Sequence, residues 1–226
     1  MPTIVFVHAL GSSSRAWEPQ RAALGDQYRV LTPDLPGHGE AEGRFTLDGG
    51  ADAIGEVIAA ESEPVTLVGI SVGATVAMLA ALAEPDRVSR LVLSGGVAHA
   101  PGIAAQRNMM RLMPTGLIVG LMSGMYAGGK AEYKAQAAED LRRAGKEAFM
   151  TGLSQLGELD LRPRLSELTQ PALVLCGAKD KENLKPAEAL AAGLPNAELK
   201  TIPEAGHIWN LRDPDGFNRT LTDFLP

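Results

Sequence analysis

A serine between two glycines carries the strongest chemical signal in this sequence. Ser71 lies in the pattern G-I-S-V-G at residues 69–73, after a short β-branched run at residues 65–68 and before an Ala- and Leu-rich run at residues 74–83. The first run is too short for a helix and the second is long enough for one, so we predict a strand, a tight turn and a helix. The glycines leave room for a strained turn that presents the Ser71 hydroxyl as a nucleophile.

A histidine and an aspartate towards the end of the chain could activate this hydroxyl. A serine hydroxyl is a poor nucleophile at neutral pH, so it needs a base to take its proton and an acid to orient that base. His207 follows the last strand-like run, and the glycine before it lets the imidazole turn inward. Asp180 comes just after another such run, at residues 171–176. We predict Ser71 as the nucleophile, His207 as the base and Asp180 as the acid that orients the base.

Apolar runs separated by helix-like segments have to position these three side chains. Six runs predict strands, at residues 3–7, 28–31, 65–68, 88–94, 171–176 and 197–202. The runs are apolar rather than alternating, which favours a mostly parallel sheet covered by helices on both faces. We therefore expect a three-layer α/β/α fold of about six strands, with functional residues in loops at the carboxyl ends of the strands. Asp48 and Asp213 are predicted to cap two of the helices.

The strand pattern disappears between residues 99 and 159. This segment contains four helix-length stretches, which are separated by Pro101, Pro114, Gly128-Gly129 and Gly145. We expect residues 1–98 and 160–226 to form the core, and residues 99–159 to form a helical cap inserted into it.

Five motifs, in this order along the chain, resemble those of α/β-hydrolases of the small serine esterase and lactonase type. They are H-A-L-G at residues 8–11, D-L-P-G-H-G at residues 34–39, the pattern around Ser71, G-A-K-D at residues 177–180 and G-H at residues 206–207. The order serine, acid, histidine is also that of the α/β-hydrolase fold. The resemblance covers nearly the whole chain and implies an α/β-hydrolase fold with a helical cap, lacking the first two strands usual in the family.

The resemblance also implies an oxyanion hole formed by the backbone N–H groups of Leu10 and Val72. The family usually has glycine where this chain has Ala9, and the added methyl group could shift the loop that positions Leu10. Three polar side chains are predicted to organise the loops around this site: His8, His38 and Asp34.

Six of the eight methionines fall within the predicted cap. Methionine adapts to irregular apolar shapes, which suits a pliable pocket, although methionines at helical spacing also serve to pack a cap onto a core. Our hypothesis is that an apolar substrate pocket is lined by Met109, Met113, Met122, Met125, Met150 and Ile208.

These residues predict a serine hydrolase that cleaves a carboxylic ester or lactone through an acyl-enzyme on Ser71. The serine argues against the dehalogenase and epoxide-hydrolase branches of the fold, which use a carboxylate nucleophile. The alternative within enzymes is cleavage of a carbon–carbon bond or an enol-lactone by the same three residues, with Arg107 or Arg111 as a cationic partner in the cap. The alternative of another class is a hydrolase-fold ligand receptor with vestigial activity.

The expected partner is a small-molecule ester or lactone, and the oligomeric state is left open. A net charge of −6 with scattered Lys and Arg argues against nucleic acid. The apolar stretch at residues 116–127 is shorter than the roughly 20 residues of a spanning helix, so no membrane partner is expected. A single cysteine, Cys176, and the absence of a visible secretory signal favour the cytoplasm. The spacing of His and acids implies no metal, and no cofactor is expected.

Overall fold

A six-stranded sheet lies at the centre of the molecule. The computed structural model describes residues 1–100, 102–127 and 130–225. The strands are β1 Thr3–Val7, β2 Arg29–Leu31, β3 Val65–Ile70, β4 Val88–Ser94, β5 Ala172–Gly177 and β6 Ala197–Ile202. They follow the order β2-β1-β3-β4-β5-β6, and every neighbouring pair is parallel. The predicted sheet of about six strands is confirmed, and it is parallel throughout.

Helices flank the sheet and complete the predicted three layers. The flanking helices are α1 Glu18–Leu24, α2 Leu47–Ala59, α3 Val72–Ala83, α7 Leu184–Gly193 and α8 Pro214–Thr222, and the cap contains α4 Ile103–Leu112, α5 Thr115–Tyr126 and α6 Ala131–Glu158. Helix α1 packs against α8, and α2 packs against α3. Every residue of β1, β3 and β5 is buried, as expected for apolar parallel strands covered on both faces.

Side-chain caps mark the starts of two helices. Asp213 Oδ1 accepts the N–H of Gly216 at 3.0 Å at the start of α8, as predicted. The prediction that Asp48 caps α2 is wrong, because Thr46 Oγ1 accepts the N–H of Gly49 at 2.9 Å and the helix begins directly after Thr46. Asp48 lies instead in the first turn, where its charge faces the positive end of the helix dipole.

Helices α4, α5 and α6 form a cap between β4 and β5. Helix α6 is broken at Gly145, whose φ of +74° and ψ of 168° are not helical, so the described residues of the cap form four helical stretches, as predicted. The two chain segments that join core and cap lie side by side, because His99 and Asp160 form an antiparallel bridge. The division after residues 98 and 159 stays a prediction. The predicted separators Pro101, Gly128 and Gly129 lie outside the described residues.

The described part of the chain contains no helix that is both long enough and apolar enough to cross a membrane. Within the same ranges, no group of three or more His, Cys, Asp or Glu side chains is placed to hold a metal ion. Cys176 is a free, buried thiol, and burial raises its pKa to about 11. This thiol therefore stays protonated, as expected for a core cysteine.

Candidate active site

The turn at Ser71 places its hydroxyl at the carboxyl end of β3. Ser71 has φ +56° and ψ −125°, a conformation that is strained for a residue with a side chain. A Cβ atom at Gly69 would lie 2.4 Å from the carbonyl oxygen of Gly73, and one at Gly73 would lie 2.2 Å from that of Val7. Both positions therefore require glycine, which confirms the physical reason for the sequence pattern.

Ser71, His207 and Asp180 form one chain of hydrogen bonds, although 136 residues separate the first pair and 27 the second. Ser71 Oγ lies 2.9 Å from His207 Nε2, and His207 Nδ1 lies 2.7 Å from Asp180 Oδ2. An ionised carboxylate can only accept, so Nδ1 carries the imidazole proton and the lone pair of Nε2 faces the serine hydroxyl. This arrangement allows the imidazole to take the hydroxyl proton while the carboxylate stabilises the imidazolium.

The partners of Asp180 favour its ionised form. Burial alone would raise its pKa, but the hydrogen bond and charge of His207 and the hydrogen bond from Asn183 outweigh burial and lower the pKa. Asn183 Nδ2 donates to Asp180 Oδ1 at 2.8 Å and to Oδ2 at 3.0 Å. Sequence reasoning missed Asn183. The available signal was an amide side chain three residues after the predicted acid, in the turn that leads into α7.

The end of β4 shapes the space around the His207 ring. Gly95 has φ +61°, and a Cβ atom there would lie 2.9 Å from His207 Cε1. At the preceding residue, Ser94 Oγ accepts a hydrogen bond from Trp209 Nε1 at 3.1 Å, which ties the loop that carries the histidine to the strand. Sequence reasoning missed both contacts, because each joins segments that are far apart in the chain.

His8 holds the loop that follows β1. Leu35 N–H donates to His8 Nε2 at 3.0 Å, so the ring proton is on Nδ1, which donates to the carbonyl oxygen of Ala9 at 2.9 Å. Ser12 N–H donates to the same carbonyl at 3.0 Å. Burial lowers the pKa of His8, so the ring stays neutral at pH 7 and keeps one donor and one acceptor. These bonds fit the predicted role of His8 in orienting this loop.

His38 holds the next peptide of the same loop. Gly11 N–H donates to His38 Nε2 at 2.9 Å, while His38 Nδ1 donates to a carbonyl of its own loop at 3.1 Å. Burial and the neighbouring His8 lower the pKa of His38 to about 4, so this ring is also neutral at pH 7. Asp34 Oδ1 accepts a hydrogen bond from the N–H of Ser14 at 2.6 Å. As expected, this bond links the loop after β2 to the loop after β1.

The N–H groups predicted for the oxyanion hole lie at two fixed backbone positions. Val72 is the first residue of α3, so its N–H has no acceptor within the helix. The N–H of Leu10 belongs to the peptide whose carbonyl, that of Ala9, is held by His8 and Ser12. Because the C=O and N–H of a trans peptide point in opposite directions, these bonds also fix the direction of the Leu10 N–H. The function of the two N–H groups stays a prediction.

A small cavity lies between the cap and the loop that follows β1. It is lined by Ile70, which precedes Ser71, by Ile208, which follows His207, and by Tyr126 of the cap. Its free volume is about 10 Å³, which is room for about one water molecule. An acyl group would not fit this cavity unless the side chains around it moved.

The residues predicted to line a substrate pocket are dispersed. Ile208 lines the cavity, whereas none of the five methionines does. Met122 is buried, but the side chains of Met109 and Met125 are 54% and 40% exposed. The other two of the five pack, partly buried, against the core. A pocket formed by these methionines stays a prediction.

The parallel sheet, the helical cap and the Ser–His–Asp geometry together are those of a hydrolase. A sequence model of the alpha/beta hydrolase family matches residues 4–220. The chain belongs to this family.

Proteins with different names are similar to this chain. The chain is 29% identical to the pimeloyl-(acyl-carrier protein) methyl ester esterase of Aliivibrio salmonicida, over 98% of this chain and 91% of the relative. It is 30% identical to the 2-hydroxy-6-oxononadienedioate/2-hydroxy-6-oxononatrienedioate hydrolase of Cupriavidus pinatubonensis, over 99% of this chain and 86% of the relative. The crystal structure of the enol-lactonase from Burkholderia xenovorans is similar with a TM-score of 0.84 and 25% identity, over 99% of this chain and 91% of that one.

Proposed function

We propose that this hydrolase is a carboxylesterase or lactonase that works through an acyl-enzyme on Ser71. The proposal rests on the hydrogen-bond chain in which Ser71 Oγ lies 2.9 Å from His207 Nε2, and His207 Nδ1 lies 2.7 Å from Asp180. A hydroxyl that can pass its proton to an oriented base attacks carbonyl carbons. Esters and lactones combine such a carbon with an oxygen leaving group.

In the proposed first step, Ser71 Oγ attacks the carbonyl carbon while its proton passes to His207 Nε2. The carbonyl oxygen becomes an oxyanion, which accepts hydrogen bonds from the N–H groups of Leu10 and Val72. A donor of this kind typically contributes about 10²–10³ to kcat. The intermediate then collapses, the bond to the leaving oxygen breaks, and that oxygen takes the proton from His207. The acyl group remains on Ser71.

In the second step, water releases the acyl group. His207 takes one proton from the water as its oxygen attacks the acyl carbon, and then returns the proton to Ser71 Oγ as the acyl–oxygen bond breaks. The products are a carboxylic acid and an alcohol, which remain in one molecule when the substrate is a lactone. The proposed substrate class, a small ester or lactone, agrees with the names of the esterase and enol-lactonase relatives.

Hydrolysis of a carbon–carbon bond by the same residues is the second candidate. It is favoured by the relative named as a 2-hydroxy-6-oxononadienedioate hydrolase. Arg107 of the cap could bind an anionic group of such a substrate, because its side chain hydrogen-bonds the neutral Ser154 Oγ at 3.1 Å and Asn108 Oδ1 at 3.3 Å. Turnover of a dienedioate with no turnover of p-nitrophenyl esters would favour this candidate. A ligand receptor, the alternative of another class, would turn over neither substrate and would leave Ser71 unreactive.

Replacing the nucleophile tests the proposal. Ser71→Ala should lower kcat for p-nitrophenyl ester hydrolysis by about 10⁴ or more, because no acyl-enzyme can form. Its melting temperature should stay close to that of the wild type, since only one hydroxyl is lost. Retained turnover in a folded Ser71→Ala variant would contradict the proposal.

A further inference from the structure

One side chain of the cap reaches the loop that carries the predicted oxyanion-hole N–H. The hydroxyl of Tyr126, at the end of α5, donates to the carbonyl oxygen of Leu10 at 2.6 Å. The tyrosine is 5% exposed and Leu10 is 3% exposed, so water does not compete freely for this bond. The contact spans 116 residues of sequence and joins the cap directly to the core loop.

The carbonyl of Leu10 belongs to a peptide that is held at both ends. Its oxygen accepts from Tyr126, and its N–H, that of Gly11, donates to His38 Nε2 at 2.9 Å. The preceding peptide is held at the Ala9 carbonyl. The planes of the Ala9–Leu10 and Leu10–Gly11 peptides are separated only by the two backbone dihedrals of Leu10. Holding both peptides therefore also fixes the direction of the Leu10 N–H.

We propose that Tyr126 is a positioning residue whose hydroxyl, reaching in from the cap, orients the predicted oxyanion-hole N–H of Leu10. It does not touch the reacting atoms. It holds the Leu10–Gly11 peptide from the cap side, as His38 holds it from the core side, and so aims the Leu10 N–H at the developing oxyanion. This inference rests on the proposed acyl-enzyme chemistry and assigns a part of that chemistry to the cap.

Two further observations support the proposal. Burial raises the pKa of the Tyr126 hydroxyl well above its usual value, so its proton remains available for donation. A second cap side chain reaches the same loop. The Ser13 hydroxyl donates a hydrogen bond to Asp140 Oδ2 of α6 at 2.8 Å, and Asp140 also forms an ion pair with Arg15. Tyr126 and Asp140 of the cap thus both hydrogen-bond this loop, and Tyr126 does so at the peptide next to the predicted hole.

Tyr126→Phe removes the hydroxyl and keeps the ring. We expect kcat for p-nitrophenyl acetate to fall about tenfold with little change in KM, because a misaligned donor loses part of the roughly 10²–10³ that a whole donor contributes. In a trifluoromethyl ketone inhibitor, Ser71 Oγ adds to the ketone carbon, and the ketone oxygen becomes an oxyanion in the hole. The affinity of this inhibitor should fall by about the same factor as kcat/KM. Binding of a non-reacting alcohol product should be unchanged.

Ser123→Ala is the matched control. Ser123 is also buried in α5, and its hydroxyl bonds the Gly120 carbonyl of its own helix at 3.3 Å rather than the core loop. This variant should keep wild-type kcat and inhibitor affinity. Wild-type kcat in Tyr126→Phe would overturn the inference, as would equal losses of activity in both variants.

A measurement on the wild-type protein covers the case in which Tyr126→Phe does not fold. The chain has three tyrosines, and we expect burial and the bond to Leu10 to slow exchange of the Tyr126 hydroxyl proton enough to follow it by NMR. Phosphonylation of Ser71 puts a phosphonyl oxygen in the predicted hole and should shift this resonance, and an unmoved resonance would overturn the inference. If the proposed function itself fails, wild-type Ser71 does not react at all, whereas failure of this inference alone leaves Ser71 reactive.

Discussion

At the scale of single residues, histidines serve two different purposes around the serine. His207 Nε2 faces the hydroxyl of Ser71, and in the proposed reaction its ring alternates between neutral and charged forms. His8 and His38 are buried, and the lowered pKa of each keeps it a neutral hydrogen-bond partner of the backbone. The same type of side chain is therefore the proposed base at His207 and a neutral donor–acceptor pair at His8 and His38.

The stability of the fold should decline as the pH falls from 7 to 5. Folded His38 has a pKa of about 4, whereas an unperturbed histidine titrates near 6.5, so between these values the unfolded chain binds a proton that the folded chain does not. Stability therefore rises with pH across this window, and His38 alone should cost about 2 kcal/mol at pH 5 relative to pH 7. Urea unfolding at each pH measures this difference.

Two variants separate His38 from other titrating groups. His38→Gln keeps a side-chain acceptor for Gly11 but does not titrate, so its free energy of unfolding should change less between pH 5 and pH 7. His99→Gln is the control, because this partly exposed ring at the base of the cap hydrogen-bonds only one backbone carbonyl in the described residues, that of Leu159 at 3.2 Å. Equal stability of the wild type at both pH values would contradict a neutral His38.

At the scale of secondary-structure elements, the carboxyl ends of five strands build the site. The loop with the predicted oxyanion-hole N–H of Leu10 follows β1, Ser71 follows β3, Gly95 follows β4, Asp180 follows β5 and His207 follows β6. Parallel strands bring these ends to one edge of the sheet, so residues that are distant in sequence meet there. The strand that contributes no functional side chain, β4, contributes space instead, because Gly95 leaves room for the His207 ring.

Gly95→Ala should therefore harm catalysis more than stability. The methyl group would lie 2.9 Å from His207 Cε1, and the φ of +61° is unfavourable for alanine. We expect displacement of the ring to lower kcat by about 10²-fold, and the backbone strain to lower the free energy of unfolding by about 1–3 kcal/mol. Ester hydrolysis and urea unfolding measure the two effects.

Gly43→Ala provides the comparison for this variant. Gly43 has a φ of +97°, but a Cβ atom there would meet no other heavy atom within 4 Å. This variant should lose stability to backbone strain and keep its kcat. If both variants lost activity equally, strain rather than contact with the imidazole would explain the effect of Gly95→Ala.

Patterns within one element were predictable from the sequence, whereas contacts between distant segments were not. The turn at Ser71 and the N-cap of α8 at Asp213 follow from residue types a few positions apart. Asp48 was wrongly predicted as the N-cap of α2 because Thr and Asp are both favourable N-cap residues. The sequence does not show which of the two precedes the first helical residue. The contact of Tyr126 with the core loop depends on packing across 116 residues, for which no local pattern exists.

At the scale of the whole molecule, the cap and the core share the loop next to the serine. Tyr126 of α5 bonds the Leu10 carbonyl, and Asp140 of α6 bonds Ser13. The small cavity lined by Tyr126 and Ile208 has a free volume of about 10 Å³, so it would hold an acyl group only if the side chains around it moved. Because the cap bonds this loop, we expect a movement of the cap to change the position of the Leu10 N–H.

The central claim is that residues from three distant parts of the chain make one alcohol nucleophilic. A fluorophosphonate probe followed by peptide mass spectrometry tests it most directly, because the probe reacts with an activated serine and forms a stable adduct. We predict a single adduct on Ser71 in the wild type, and a labelling rate at least about 10³-fold lower in His207→Ala, which lacks the base. Equal labelling rates in the two proteins, or an adduct on any other residue with Ser71 unmodified, would contradict the account.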